Sequence, residues 1–141
     1  MIPIVGAKYP AIVIPLIDGA KKNIDIAVYD WRWYANEPEH AVQRFNAAIV
    51  RAVQRGVIVR AVLNTADIVP VLVSVGVKAR RMNEHRTLHA KLIVIDDTLL
   101  ITGSHNLTRN AFGSNIELSV AVYLPVGMSR ISEFFNNLYN L

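Results

Sequence analysis

Two periodicities alternate along the chain. Pro10 to Lys22 reads as a first helix in which Pro15 is an awkward interior residue, and Ile24 to Tyr29, rich in β-branched residues, reads as a buried strand. Asp30 to Pro38 is polar and aromatic and reads as a loop. From Glu39 to Arg55 the apolar positions Val42, Phe45, Ile49 and Val53 recur at helical spacing, and Gly56 is placed to stop that helix. Val57 to Leu63 is the next strand, so the segment from Ile24 onward forms a β-α-β unit with a right-handed crossover. Ile68 to Val75 is ambiguous: its composition favours strand, whereas the β-α-β rhythm favours a short helix before a strand at Val77 to Arg80. Glu117 to Leu124 reads as a strand, followed by an amphipathic helix burying Ile131, Phe134, Phe135 and Leu138. Alternating elements of this kind predict an α/β domain with a mixed, largely parallel β-sheet flanked by helices on both faces.

One segment departs from that rhythm. Leu92-Ile93-Val94-Ile95 and Leu99-Leu100-Ile101-Thr102 are short apolar runs separated by Asp96-Asp97-Thr98, whose residues favour turns, so they predict an antiparallel hairpin. With the turn centred on Asp97 and Thr98, Ser104 falls opposite Lys91 and Asn106 opposite His89, as cross-strand neighbours about 5 Å apart. Parity puts Asp96 on the other face at the far end, roughly 20 Å from His89. Asp96 is therefore expected to fix the turn and not to take part in chemistry.

These residues form the pattern H-x-K-x4-D-x6-G-S-x-N, from His89 to Asn106 without a departure. It resembles the HKD motif of the phospholipase D superfamily, and six fixed residues at fixed spacing are specific where a lone H-x-K would be weak. Larger members carry two copies of the motif; this chain has one, and its length resembles that of the family's small single-motif bacterial endonucleases. The resemblance implies a phospholipase D-like fold and phosphodiester chemistry through a covalent phosphohistidine, without a cofactor or metal. His89 would attack phosphorus, Lys91 and Asn106 would bind non-bridging oxygens, and Ser104 would donate to the phosphate or to a neighbouring site residue. Glu117 opens an apolar strand, where a carboxylate needs a partner; the expected one is the second ring nitrogen of His89. One histidine cannot both attack and move the protons, so the second must come from another copy. The resemblance thus implies a C2 homodimer with both His89 side chains at the two-fold axis.

The chain has 141 residues, 52% of them hydrophobic, and no cysteine, which fits one domain and excludes disulfides and thiolate chemistry. No apolar run approaches the roughly 20 residues a membrane span needs. The first residues lack the basic and apolar regions of a signal peptide, so the cytoplasm is the expected compartment. The net charge of +4 favours a polyanionic partner, nucleic acid or an acidic lipid surface. Arg80, Arg81 and Arg86, in a stretch whose one acid is Glu84, are candidates to track a phosphate backbone, with a solvated loop as the competing reading. Trp31 and Trp33 are candidate platforms for bases or a lipid interface, with core packing as the competing use. His85 and His89 have the i, i+4 spacing of zinc ligands, but Glu84 is misplaced for H-E-x-x-H and no helix is expected there, so no metal is assigned. His105 should point away from the site, and His40 should lie on the surface at a helix start. The expected activity is a metal-independent, non-specific endonuclease on DNA or RNA. The alternatives are a phosphatidyl hydrolase or transferase on anionic phospholipid, and a non-catalytic nucleic-acid-binding dimer.

Overall fold

The computed structural model describes residues 1–83, 85–125 and 129–141; Glu84, named above, lies outside the described residues. Strand β1 (Ile2–Val5) leads through a 3-10 turn into helix α1 (Tyr9–Asp18), followed by β2 (Asn23–Val28), α2 (Ala41–Gln54) and β3 (Ile58–Leu63). Then come α3 (Val69–Ser74), β4 (Lys78–Arg81), β5 (Leu92–Ile95), β6 (Leu99–Gly103), β7 (Leu118–Tyr123) and α4 (Ser129–Tyr139). No helix of the described residues is long and apolar enough to cross a membrane.

The seven strands form one mixed sheet in the order β1-β7-β6-β5-β2-β3-β4. Helices cover both faces, as expected, but the balance of strand directions differs from the expectation. Only β2–β3 and β3–β4 are parallel, while the other four neighbouring pairs are antiparallel. The β-α-β rhythm governs only the half from β2 to β4; the motif hairpin and its neighbours, joined by short or irregular connections, run antiparallel. Strand β1 is an addition to the expected elements, because four residues including Pro3 carry too little pattern to announce it.

Local chemistry accounts for the element ends. Pro10 sits in the first turn of α1, where no N–H is needed. Pro15 is exposed, as is Ala11, whose carbonyl loses its helical donor and can turn to water. The helix stops at Asp18 and not at Lys22, because the Lys21 and Lys22 amides are drawn to the Asp96 carboxylate. His40 caps α2 by accepting the Val42 N–H at Nδ1, 3.1 Å away, and Arg55 closes it while donating to the carbonyls of Ile17, in the last turn of α1, and Ala20, just past its end. The ambiguous segment resolves into α3, ended by Gly76 at φ +96°, where a Cβ would lie 2.6 Å from Val53 Cγ1.

The larger core lies between the sheet and α1, α2 and α3, and includes Ile26, Trp31, Phe45, Ile49, Leu72 and Ile101. The smaller lies beneath α4, where Phe135 packs on Ala27, Val62, Leu92 and Val94. Phe134, expected inside, is 44% exposed: adjacent helical residues differ by about 100°, so only one of the pair faces the sheet. Beneath α4, Asp25 (1% exposed) is held bidentately by Arg60 at 2.8 and 2.9 Å, and the guanidinium lies over the Phe135 ring, 5.0 Å from its centroid.

Candidate active site

The hairpin forms as expected, but with a different register. Ile95 pairs with Leu99 and Leu92 with Thr102, so the turn has three residues, of which Asp96 and Asp97 are left-handed (φ 53° and 55°). The ladder therefore extrapolates to Gly103, and not Ser104, opposite Lys91. Lys91 and Ser104 then fall on opposite faces of the strand pair.

Three pairings organise the motif residues. Lys91 Nζ lies 3.4 Å from His89 Nε2, and His89 is exposed at the open end of the hairpin. An ammonium only donates, so the imidazole Nε2 is the acceptor. Ser104 Oγ donates to Glu117 Oε2 at 2.6 Å and accepts the Leu118 N–H at 3.0 Å, while Asn115 Nδ2 donates to Glu117 Oε1 at 3.4 Å. Asn106 Oδ1 accepts the Asp30 N–H at 3.1 Å, and the surrounding chain is pinned by backbone bonds between Leu107 and Asp30 and between Arg32 and Leu107. Among the described residues no hydrogen bond links these three groups, and none uses Asn106 Nδ2. The expected Glu117–His89 bond is absent, because Ser104, beside the start of β7, takes the carboxylate first.

Asp96 fixes the far end of the hairpin. Its carboxylate accepts the N–H groups of Lys21, Lys22 and Asn23 at 2.9, 2.6 and 3.1 Å. Burial works to raise its pKa, but these three backbone donors, with the Lys22 charge, hold the carboxyl below its usual range. Gly103 is forced by close approach: a Cβ there would collide with Ser119 and the Leu118 carbonyl.

His105 points into the core, as parity predicts, and is 2% exposed; burial pushes its pKa down, against the Gly6 carbonyl and the Glu117 charge. Trp31 is no platform: it is 0% exposed and its Nε1 donates to Asn46 Oδ1 at 2.7 Å. Trp33 is half-buried against the same core. Arg80 is committed to the carbonyls of Tyr139 and Leu141, where it anchors the end of α4. Arg81 and Arg86 remain exposed. Two recesses that local sequence could not reveal flank the motif, because each joins distant segments. One, of about 230 Å³, has His89 on its wall with Arg86, Leu88, Phe134, Leu138 and Leu141. The other, of about 150 Å³, is polar and lined by Tyr29, Asp30, Arg32, Asn64 and Thr65.

Residues 13–139 match the family model described as cardiolipin synthase, PLD-like domain, and the chain belongs to this phospholipase D-like family of enzymes acting on phosphodiesters. No curated protein matches the chain in sequence. Among solved structures the chain is similar to Nuc of Salmonella typhimurium, a phospholipase D family member, at 24% identity and a TM-score of 0.80, with 98% of this chain and 93% of that one covered. It is similar to NucT of Helicobacter pylori at 16% identity and a TM-score of 0.76, covering 98% and 94% of the two chains. It also resembles a phosphatidylserine synthase of Haemophilus influenzae at 13% identity and a TM-score of 0.70, covering 96% of this chain and 37% of the other. At these identities the likenesses establish the fold.

Proposed function

We propose that this protein is a metal-independent phosphodiesterase that cleaves nucleic acid through a phosphohistidine intermediate, at a site completed by a second copy of the chain. The observation that carries this reading is the exposed His89 imidazole with its Nε2 lone pair directed at Lys91, 3.4 Å away, within an unbroken motif. A phosphate drawn to Lys91 would meet that lone pair. Nε2 attacks phosphorus and the bond to the leaving oxygen breaks; water then attacks the same phosphorus, the P–N bond breaks and His89 is regenerated. Lys91 supplies the positive charge that many nucleases take from a metal, and Asn106 Nδ2 offers donors to a non-bridging oxygen. The Ser104 hydroxyl proton is committed to Glu117, so this pair shapes the site and does not bind phosphate.

The partner's histidine protonates the leaving oxygen and then accepts a proton from the attacking water. A surface suited to that partner adjoins the site. Val5 and Leu118 are register partners, on the face of the sheet that α4 covers elsewhere, yet they are 61% and 58% exposed. Ser104 lies beside Leu118 on that face. Net positive charge and the exposed Arg81 and Arg86 favour a nucleic-acid substrate bound through its backbone.

One observation favours a second reading. The 230 Å³ recess beside His89 is walled largely by apolar side chains, as a phosphatidyl hydrolase or transferase requires. Incubation of the protein in excess EDTA with plasmid, single-stranded RNA and phosphatidylglycerol vesicles separates the two. Cleavage of nucleic acid, abolished in His89→Asn, is expected; turnover of vesicles alone selects the lipid reading, and loss of all activity on chelation refutes metal independence.

A further inference from the structure

Gly6, just past β1, is tied both to Glu117, the residue before β7, and to His105, which sits between Ser104 and Asn106 just past β6. Its N–H donates to the Glu117 carbonyl at 2.9 Å, and its own carbonyl lies 2.9 Å from His105 Nε2. A carbonyl oxygen only accepts, so His105 carries its proton on Nε2. Its Nδ1, 2.7 Å from Ser119 Oγ, is then the acceptor for the serine hydroxyl. The ring is buried against Tyr9, with centroids 4.5 Å apart, and both rings line a small cavity together with Lys91. Both ring nitrogens are thus satisfied by two separate stretches of chain, β7 and the β1–α1 connection. Gly6 has φ +50°, and a Cβ added there would meet nothing within 4 Å, so glycine is needed for conformation and not for space. That conformation aims its N–H at the Glu117 carbonyl and its own carbonyl at the His105 ring.

We propose that His105 is a positioning residue, which through Gly6 and Ser119 fixes the depth and direction of the chain between Ser104 and Asn106. The proposal rests on the phosphodiesterase reading of those neighbours. His105 has no access to substrate, and its effect passes through the backbone on either side. Displacement of a reacting constellation by about an ångström costs on the order of a hundredfold in rate, so even partial slippage is measurable as turnover.

Kinetics on bis(p-nitrophenyl) phosphate and on a fluorescent single-stranded oligonucleotide test this, at a temperature where every variant is fully folded. His105→Phe keeps the ring and loses both hydrogen bonds; kcat should fall about tenfold or more with KM within about twofold. His105→Gln, which can still donate to the Gly6 carbonyl, should recover part of that loss. Gly6→Ala should lower kcat by itself and add little to His105→Phe, because both break one linkage. Val13→Ala, a destabilising change in the same core away from the site, should leave kcat unchanged. An unchanged kcat in His105→Phe, or an equal fall in Val13→Ala, overturns the proposal. Amide exchange decides it independently of activity: the Ser104 and Leu118 N–H groups should lose about tenfold in protection in His105→Phe while β2 and β3 keep theirs, and unchanged protection overturns it. A parent protein inactive on both substrates refutes the phosphodiesterase reading alone.

Discussion

Replacing Asp96 by alanine removes the carboxylate that gathers the N–H groups of Lys21, Lys22 and Asn23. Hydrogen bonds to a charged acceptor contribute about 1.5–3 kcal/mol each when desolvated. Lys21 and Lys22 are exposed, so water replaces much of the loss and about 1 kcal/mol per donor is the better figure. Alanine at φ 53° adds about 1 kcal/mol of left-handed strain, for a total of about 4 kcal/mol. Asparagine keeps an acceptor oxygen and tolerates that backbone, so Asp96→Asn should cost about 1.5 kcal/mol. For a chain of this size the melting temperature should drop by about 12 °C and 5 °C respectively. The folded carboxyl titrates below its unfolded value, so its stabilisation is complete above about pH 4 and disappears as pH falls through the folded value. The gap between parent and Asp96→Asn should therefore close on acidification below about pH 4. Turnover per folded molecule should stay within about twofold of the parent, because Asp96 is at the opposite end of the hairpin from His89. Thermal melts with matched kinetics test this. An alanine variant that melts with the parent, or an asparagine variant that loses turnover while melting normally, would refute the structural role.

Other substitutions follow from the same contacts. Arg60→Ala leaves Asp25 buried and unpaired and should cost about 3–5 kcal/mol by urea denaturation. Gly103→Ala forces a methyl group into Ser119 and the Leu118 carbonyl and should cost about 3 kcal/mol together with most of the turnover. Trp31→Phe takes the donor from the buried Asn46 Oδ1 and should cost about 1–3 kcal/mol in stability while leaving KM for an oligonucleotide unchanged; a large rise in KM would mean that this buried ring reaches substrate after all.

Much of this architecture is legible in the sequence because it is local. The β2-α2-β3 unit and the two hairpin strands announce themselves through periodicity, and the motif spacing alone marks His89, Lys91 and Asn106 as candidates. The register differs by one residue from the expected one because two consecutive aspartates adopt left-handed backbone, and residue type alone does not distinguish a two-residue from a three-residue turn there. Non-local chemistry is invisible to such reasoning. Asp25 and Arg60 are brought together only by the parallel β2–β3 register, and Arg80 is claimed by a helix end far along the chain. Glu117 can be paired with an imidazole from sequence, yet the ladder between β6 and β7 hands it to Ser104. Sequence leaves Trp31 open between core packing and a stacking platform, and only the contact with Asn46 on α2, which holds its indole nitrogen, decides for the core.

The most direct test of the account is the activity of a mixed dimer, assembled from one parent subunit and one His89→Asn subunit and purified through two different tags. If two imidazoles work on one phosphorus, each hybrid lacks either the nucleophile or its proton-transfer partner and turnover should be close to that of the doubly substituted dimer. Retention of about half the parent activity would mean that each chain acts alone, and would contradict the shared site.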